Sequence, residues 1–367
     1  MNRLGLLLCL ALAACGCGTS SGLQVANSGQ TTPVTAPPAE QPHVGRLDAI
    51  AFADADHGWA AGKGAIIATL DGGASWTGQY RGRADILALE FSDHVHGWAV
   101  ASGSLLRTTD GGAAWSQAAE PAGMVLTQVD FTDADHGWGI AQTAAGLGAP
   151  GASSLVRTTD GGDHWSAPVG AADSVCVSGG DLIAGSGSQV LQSSDGGSGW
   201  TTLLDASHSQ WLTATVRCAG PGSIWVLFEG DSAAGSQAYL ADFSADAGRT
   251  WSPVVASPVL AGASPALAAV TTLDSLPGPF DAVPVDAAVF LGQCPACSPQ
   301  RVTVLRTTNG GRSWARSLVN GFAPTGLDMV DARHGWMTTL IGGTQSRRSA
   351  ILATADGGRS WHPVFPR

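Results

Sequence analysis

The stretch TTDGGDHW at Thr158–Trp165 decides the fold, because close variants of it recur along the chain. Its pattern is Thr or Ser, any residue, Asp, Gly, Gly, two further residues and Trp. The other six copies are Thr69–Trp76, Thr108–Trp115, Ser193–Trp200, Ser244–Trp251, Thr307–Trp314 and Thr354–Trp361. Internal repetition of this kind is typical of repeat architectures. We number the segments that carry these strings repeats 1 to 7, in chain order.

A second string, His-Gly-Trp, lies upstream of the first in four repeats. Its tryptophans are Trp59, Trp98, Trp138 and Trp336, and Trp225 holds the same place in repeat 5. An apolar residue precedes the four His-Gly-Trp tryptophans by seven positions, as Phe52, Phe91, Phe131 and Met329. Each repeat therefore predicts four short strands: A ends at the apolar residue, B begins at the Trp, C enters the first string and D leaves it. Residues 46–366 divided by seven give about 46 residues per repeat, which is typical of a propeller blade.

These patterns predict an all-β protein, a seven-bladed β-propeller of four-stranded antiparallel blades. Gly-Gly supplies a tight turn with positive φ between strands C and D. The acidic side chain accepts hydrogen bonds from the N–H groups of that turn, and the Trp fills the gap between neighbouring blades. The residues predicted to hold the turn are Asp71, Asp110, Asp160, Asp195, Asp246, Asn309 and Asp356.

Composition agrees with a turn-rich β protein and argues against one class of function. Glycine accounts for 50 of the 367 residues, and charged residues make up only 13%. Eighteen basic residues against 29 acidic ones give a net charge of -11. A protein that follows a phosphate backbone needs clustered positive charge, so we expect no nucleic-acid partner.

Residues 1–45 predict an export signal followed by a tether. Arg3 precedes an apolar run, Leu4–Ala14, that is too short to span a bilayer but suits a secretory signal. The run ends in Leu-Ala-Ala-Cys15, which resembles a bacterial lipobox. That resemblance implies cleavage after residue 14, lipidation of Cys15, and anchoring at the outer face of the cytoplasmic membrane or cell envelope. An ordinary signal peptide with a coincidental cysteine is the alternative. Residues 15–45, rich in Ser, Thr, Pro and Gly, predict a disordered tether before a propeller at 46–367.

Four cysteines fall within the predicted propeller, an even number that in an exported protein favours two disulfides. The predicted pairs are Cys176–Cys218 and Cys294–Cys297. Cys218 lies seven positions before Trp225, and Cys176 lies seven before Ile183, the counterpart of Trp225 in repeat 4. Both cysteines are therefore expected to take the place of Phe52 on neighbouring A strands. Two buried free thiols are the alternative.

The TxDGGxxW strings resemble the Asp-box, or bacterial neuraminidase repeat, of sialidase-type propellers. Membership of the sialidases would imply an arginine triad, a Tyr/Glu nucleophile pair and an acidic Asp. The chain has only Tyr80 and Tyr239, and no Arg-Ile-Pro-type string precedes the first Asp-box. Xyloglucanase-type hydrolases also carry Asp-boxes, but they need two propellers and this chain has the length of one. We therefore expect no enzyme.

The histidines of the His-Gly-Trp strings raise the question of a metal site. They are His57, His96, His136 and His334. Ligands from four separate blades lie too far apart for one ion with bonds of about 2 Å. Each histidine is therefore predicted to cap its own A–B turn, and no metal site and no cofactor are expected.

The pattern across residues 46–366 resembles the photosystem II assembly and stability factor family, whose members are seven-bladed Asp-box propellers. That resemblance implies non-catalytic binding of a protein partner, such as an assembling membrane protein. A glycan-active or glycan-binding propeller is the alternative.

Loop lengths predict where a partner binds. The longest B–C connections are Gln142–Ser154, Glu229–Gln237, Gln293–Arg301 and Gly342–Ser349. Asp274–Asp286 is interpreted as a long A–B connection on the opposite face. Since loops on a rigid scaffold carry function, we predict a partner on the B–C face, with Arg301, Arg347 and Arg348 as contacts. Trp211, the one tryptophan that the repeat pattern does not explain, is a candidate ligand platform, with a position in the core as its alternative. Tolerated insertions are the alternative.

Overall fold

The strands follow the order that the repeats predict. The computed structural model describes residues 42, 44–143, 153–207, 211–284, 286–343 and 346–366. The predicted signal peptide, the predicted lipidation site Cys15 and nearly all of the predicted tether lie outside these residues. The described part of the chain contains 27 β-strands and one short helix, arranged as six hydrogen-bonded sheets. No helix in this part is long and apolar enough to cross a membrane.

The first three sheets run from the start of repeat 1 to the end of repeat 4. The first sheet holds Leu47–Phe52 (β1), Gly58–Thr69 (β2), Thr77–Phe91 (β3), Gly97–Ala101 (β4), Ser104–Thr108 (β5) and Ser116–Ala118 (β6). The second holds Met124–Phe131 (β7), Gly137–Thr143 (β8), Ser153–Thr158 (β9) and Gly170–Ala171 (β10). The third holds Ser174–Ser178 (β11), Asp181–Ser186 (β12), Gln189–Ser193 (β13) and Thr201–Asp205 (β14).

The last three sheets contain repeats 5, 6 and 7. The fourth holds Thr213–Cys218 (β15), Ile224–Ala233 (β16), Ser236–Ser244 (β17), Ser252–Ala256 (β18) and Thr271–Thr272 (β19). The fifth holds Leu276–Val283 (β20), Ala287–Gln293 (β21), Arg301–Thr307 (β22) and Ala315–Asn320 (β23). The sixth holds Phe322–Met329 (β24), Gly335–Ile341 (β25), Arg348–Thr354 (β26) and His362–Phe365 (β27). Helix Pro258–Ala263 (α1) lies between β18 and β19.

The fold is an all-β propeller of four-stranded antiparallel blades, as the sequence predicts, but with six sheets instead of the expected seven. The difference lies in the first sheet, which contains both repeat 1 and repeat 2. Strand β3 joins them, because its first half pairs with β2 and its second half, from Ile86 to Phe91, pairs with β4.

Aromatic rings fill the spaces between neighbouring repeats and also close the ring. Phe52 of β1 stacks on Trp336 of β25, with ring centroids 3.5 Å apart, and Trp76 packs edge-on against Phe52. The indole N–H of Trp336 donates to the carbonyl of Gly72 at 3.0 Å. The same stack joins Phe91 to Trp59, and Phe131 to Trp98. Because Trp336 belongs to the last sheet and Phe52 to the first, side-chain packing closes the ring.

The TxDGGxxW strings form tight turns with a shared hydrogen-bond pattern. In repeat 3, the Thr158 hydroxyl donates to Asp160 at 2.9 Å and accepts the N–H of Gly162 at 2.9 Å. The same Asp160 oxygen accepts the N–H of His164. Trp165 then donates its indole N–H to the carbonyl of Ala119, at the outer end of repeat 2. The string therefore shapes its own turn and also contacts the preceding repeat.

Both predicted disulfides are confirmed, but the register expected for Cys176 is wrong. Cys218 lies opposite Ile224, as Phe52 lies opposite Gly58, whereas Cys176 lies opposite Ile183, one position earlier in the pattern. The turn between β11 and β12 is shorter than the others, so counting back from Ile183 misplaces the cysteine. The offset is what permits the bond.

Side chains at the two register positions point towards different neighbours. Phe52 stacks on Trp336 of the preceding repeat in the ring. Asp328 lies one position earlier in its own repeat, and its carboxylate accepts the N–H of Phe52 in the following repeat. A cysteine at the earlier position therefore faces forward, and Cys176 meets the backward-facing Cys218.

The interpretation of Asp274–Asp286 as a loop is also wrong. Most of this segment is strand β20, and β21 begins at Ala287, four residues after β20 ends at Val283. The inserted residues lie earlier, between β18 and β20, where they form α1 and β19. This D–A connection lies on the same propeller face as the B–C loops. The exception to the one-face pattern of insertions therefore disappears.

Candidate partner-binding site

The B–C loops of repeats 6 and 7 contact each other. The Arg347 guanidinium donates to the side-chain oxygen of Gln300 at 2.5 Å and lies 3.9 Å from the ring centroid of Phe322. Gln300 in turn donates to the carbonyl of Pro295, inside the loop closed by the Cys294–Cys297 disulfide. Arg347 is thus half-buried and held in place, whereas Arg348 is exposed. Of these two predicted contacts, Arg348 is therefore the more accessible to a partner.

A groove of about 510 Å³ lies beside these loops, between repeats 6 and 7. Arg301 at the start of β22 and Arg359 in the turn before β27 both line it and are exposed. Leu318 of the outer strand β23 is 58% exposed, which is high for a leucine. Trp361 also lines the groove and is half-buried. The groove therefore combines apolar surface with two arginine side chains, the residues that protein interfaces favour.

A third arginine adds positive charge near the groove. Arg306 lies on β22, and its Nε atom is buried without a hydrogen-bond partner. Burial, and next the charge of Arg359, lower the pKa of Arg306, while Asp356 acts in the opposite direction. Two guanidinium groups that disfavour each other's charge make an acidic occupant electrostatically favourable at this junction.

Trp211 does not provide a ligand platform. Its side chain is only 9% exposed and packs in the hydrophobic core, with its ring centroid 5.9 Å from that of Phe228. The prediction failed because the repeat pattern alone cannot distinguish a tryptophan that fills the core from one that faces solvent.

The centre of the ring contains charged residues that sequence reasoning missed. A cavity of about 300 Å³ is lined by the A strands and by Glu90, Asp130, Arg217, Asp281 and Asp328. All five occupy one register position, each directly opposite the His-Gly-Trp tryptophan of strand B or its counterpart. Aligning the repeats at the residue before Phe52 would have revealed this ring, in which one arginine faces four acids.

Burial, which disfavours the ionised form, is the main reason that the pKa values of the four acids are raised. The pKa of Asp328 is about 8, with the nearby Asp281 as a second cause, and the pKa of Asp130 is about 6. Asp328 and Asp281 accept the N–H groups of Phe52 and Met329. Arg217 opposes the upward shift in all four. Carboxyl groups that stay protonated near neutral pH can donate protons, as general acids do.

The two tyrosines do not supply a sialidase-type nucleophile. The Tyr239 hydroxyl is tied to the backbone of Asp274, donating to its carbonyl at 2.6 Å and accepting its N–H at 3.0 Å. Burial raises the pKa of Tyr239 to about 12, which disfavours the phenolate. Tyr80 is half-buried and packs against the hydrophobic core beside β2.

Comparisons with known proteins show the fold alone. No family model and no characterised protein sequence matches the chain. Among solved structures it is similar to "YCF48 bound to D1 peptide", with 17% identity, a TM-score of 0.57, and coverage of 86% of this chain and 95% of that one. It is equally similar in TM-score, 0.57, to the structure of U3-55K, with 8% identity over 86% of this chain and 97% of that one. A xyloglucanase of family GH74 from Xanthomonas campestris has 15% identity, covers 87% of this chain and 64% of its own, and has a TM-score of 0.36, too low to support an argument.

Proposed function

We propose that the protein is a non-catalytic binding scaffold whose groove between repeats 6 and 7 holds an acidic, partly apolar segment of a protein partner. The observation that carries this proposal is the combination of exposed Arg301 and Arg359 with Leu318 and Trp361 along one groove. The similar structure, YCF48 bound to D1 peptide, supports a protein partner, such as an assembling membrane protein.

We further propose that the propeller has seven blades, built as Asp-box repeats. In this interpretation the six-stranded first sheet is two blades that share the long strand β3. The register supports it, because a residue opposite the strand-B tryptophan or its counterpart occurs in all seven repeats. These residues are Ala51, Glu90, Asp130, Cys176, Arg217, Asp281 and Asp328.

The scaffold would work outside the cytoplasm, held to the membrane or envelope by lipid on Cys15. The Leu-Ala-Ala-Cys15 string supports this part of the proposal. Metabolic labelling with a fatty-acid probe should mark the wild-type protein and leave Cys15→Ser unmarked. Equal labelling of both would contradict it.

Charge reversal in the groove tests the binding proposal. The double variant Arg301→Glu, Arg359→Glu should recover at least 10-fold less partner from detergent-solubilised source membranes, because an acidic segment is then repelled. Arg249→Glu is the matched control, since Arg249 occupies in repeat 5 the turn position of Arg359 and is also exposed. Its recovery should equal that of the wild type. Equal recovery by the double variant and the control, with all three proteins folded, would refute the groove as the site.

The carboxylates of the central cavity favour a second candidate function, binding or hydrolysis of a glycan. Glycosidases use one protonated and one ionised carboxyl group, and Asp130 is raised to a pKa of about 6 in such a cluster. Turnover of a fluorogenic sialoside or β-glucan that is lost in Asp130→Asn would support this candidate over the scaffold. Absence of turnover with both substrates is expected if the scaffold is correct.

A further inference from the structure

Three metal-binding side chains meet where the A–B turns of repeats 1 and 2 adjoin. Asp54 and His57 lie between β1 and β2, and His94 lies between β3 and β4. His94 Nε2 is 2.7 Å from Asp54 Oδ2, and His57 Nδ1 is 3.0 Å from both oxygens of Asp54. The two imidazole rings stack with centroids 4.3 Å apart. One ligand atom from each residue lies within 4.8 Å of the other two.

The Asp–His pair within each turn has a structural explanation, but the additional histidine does not. Asp93 and His96, Asp133 and His136, and Asp331 and His334 form the same pair in their own turns. In the A–B turns of repeats 1, 3 and 7, the residue directly after this aspartate is alanine: Ala55, Ala134 and Ala332. In the A–B turn of repeat 2 it is His94. Since alanine serves three of the four turns, His94 is not needed to build one.

The donor set has the chemistry of a transition-metal site. Two imidazole nitrogens and one carboxylate oxygen, with water in the fourth position, suit tetrahedral Zn²⁺. Metal–ligand bonds of about 2.0–2.2 Å place donors roughly 3.3 Å apart. The contacts of His94 and His57 with Asp54 Oδ2, at 2.7 and 3.0 Å, therefore need to open by a few tenths of an ångström, and the two imidazole nitrogens already lie within 4.8 Å of each other. Hard cations such as Mg²⁺ and Ca²⁺ prefer sites made entirely of oxygen.

The site is also oriented and open. The N–H groups of His57 and Asp56 both donate to Asp54 Oδ1, at 2.7 and 2.8 Å, which fixes the carboxylate and leaves Oδ2 facing His94. Partners of this kind hold metal ligands in position. The side chains of His57, Asp54 and His94 are 34%, 40% and 54% exposed, so an ion and its water ligand have direct access.

We propose that Asp54, His57 and His94 form a surface site for a divalent transition-metal ion such as Zn²⁺, which bridges the turns of repeats 1 and 2. It shares no residue with the groove between repeats 6 and 7 and stands independently of the partner-binding proposal. A bound ion would join two turns that are distant in sequence, since His57 and His94 are 37 residues apart. Binding should therefore raise the thermal stability of the folded state.

Zinc titration of the untagged mature protein, after removal of metal by a chelator, tests the proposal. Isothermal titration calorimetry with ZnCl₂ should show one site, and His94→Ala should weaken it at least 10-fold because it restores the alanine of the other turns. His136→Ala is the control and should bind as the wild type does, since its turn offers only one histidine. MgCl₂ should give no binding heat.

Transplanting the histidine provides a gain of function. Ala134 occupies in repeat 3 the position of His94, so Ala134→His should face Asp93 and His96 and add a second equivalent of Zn²⁺. The increase in melting temperature with Zn²⁺ should disappear in His94→Ala and remain in His136→Ala. Wild-type protein that binds no Zn²⁺, or His94→Ala with wild-type stoichiometry and affinity, would overturn the proposal. Circular dichroism establishes that each variant is folded, and His94→Gln serves if the alanine variant is not.

Discussion

The central carboxyl groups make the stability of the propeller depend on pH, and Asp328 is one of the main contributors to this dependence. Its pKa is raised from 3.8 to about 8 by burial and then by Asp281. Between about pH 4 and pH 8, the folded state therefore keeps a proton on Asp328 that the unfolded chain has lost. Because the folded state binds more protons, its stability falls as the pH rises from about 4 to 8.

The size of the effect follows from the shift. A difference of one pKa unit corresponds to about 1.4 kcal/mol, so between pH 5 and pH 7 Asp328 should lower the free energy of unfolding by roughly 2–3 kcal/mol. Asp328→Asn should remove this contribution, because asparagine does not ionise and its carbonyl can still accept the N–H of Phe52. Glu90, Asp130 and Asp281 have raised pKa values too, so the variant should keep a smaller decline.

Urea denaturation at pH 5, 6 and 7 measures the effect, with tryptophan fluorescence as the probe. The wild type should lose stability across this range, and Asp328→Asn should lose roughly 2–3 kcal/mol less. Asp135→Asn, at an exposed turn, controls for the loss of one carboxylate and should follow the wild type. A wild-type stability that rises from pH 5 to pH 7, or equal declines in the wild type and Asp328→Asn, would refute the reasoning.

Two further predictions concern the framework. The double variant Cys176→Ser, Cys218→Ser should lose roughly 3–4 kcal/mol of stability, because this disulfide joins residues 42 positions apart and so restricts the unfolded chain strongly. The double variant Cys294→Ser, Cys297→Ser should lose clearly less, because its disulfide joins residues only 3 positions apart. Equal losses of stability in chemical denaturation would contradict this. Thr108→Val should lower the free energy of unfolding by about 1–3 kcal/mol, because the buried N–H of Gly112 loses its acceptor. Thr109→Val, at the exposed neighbouring position, should change it little. Similar melting temperatures for the two variants would count against the role of the Thr108 hydroxyl.

The strands and turns were predictable because the same sequence pattern recurs from repeat to repeat. Strand β1 begins and ends at the residues expected, Leu47 and Phe52. Where a repeat departs from the shared pattern, counting from landmarks fails. The short turn after Cys176 shifts its register by one residue. The Pro-Gly-Pro stretch at 277–279 was interpreted as part of a loop, although it lies within β20.

The contacts between repeats were harder to predict, since they join residues that are distant in sequence. Only the recurring histidines of the His-Gly-Trp strings were considered as metal ligands, and His94 is not one of them. The structure brings His94 to Asp54 across the junction between repeats 1 and 2. Asp328 was also missed, because its environment is formed by contacts between repeats. Its burial depends on seven strands meeting around one cavity, which no single repeat encodes.

The positions that repeat and the positions that vary therefore answer different questions. The Asp-Gly-Gly turns and the stacked Phe and Trp rings recur because every junction needs the same packing, so they identify the fold and carry little information about a ligand. Chemistry that is peculiar to this chain should lie where one repeat differs from the rest at a shared position. His94 in place of alanine and Arg217 among four acids are two such departures. Packing alone requires neither of them, and each lies at a junction where two or more repeats can contact the same ligand.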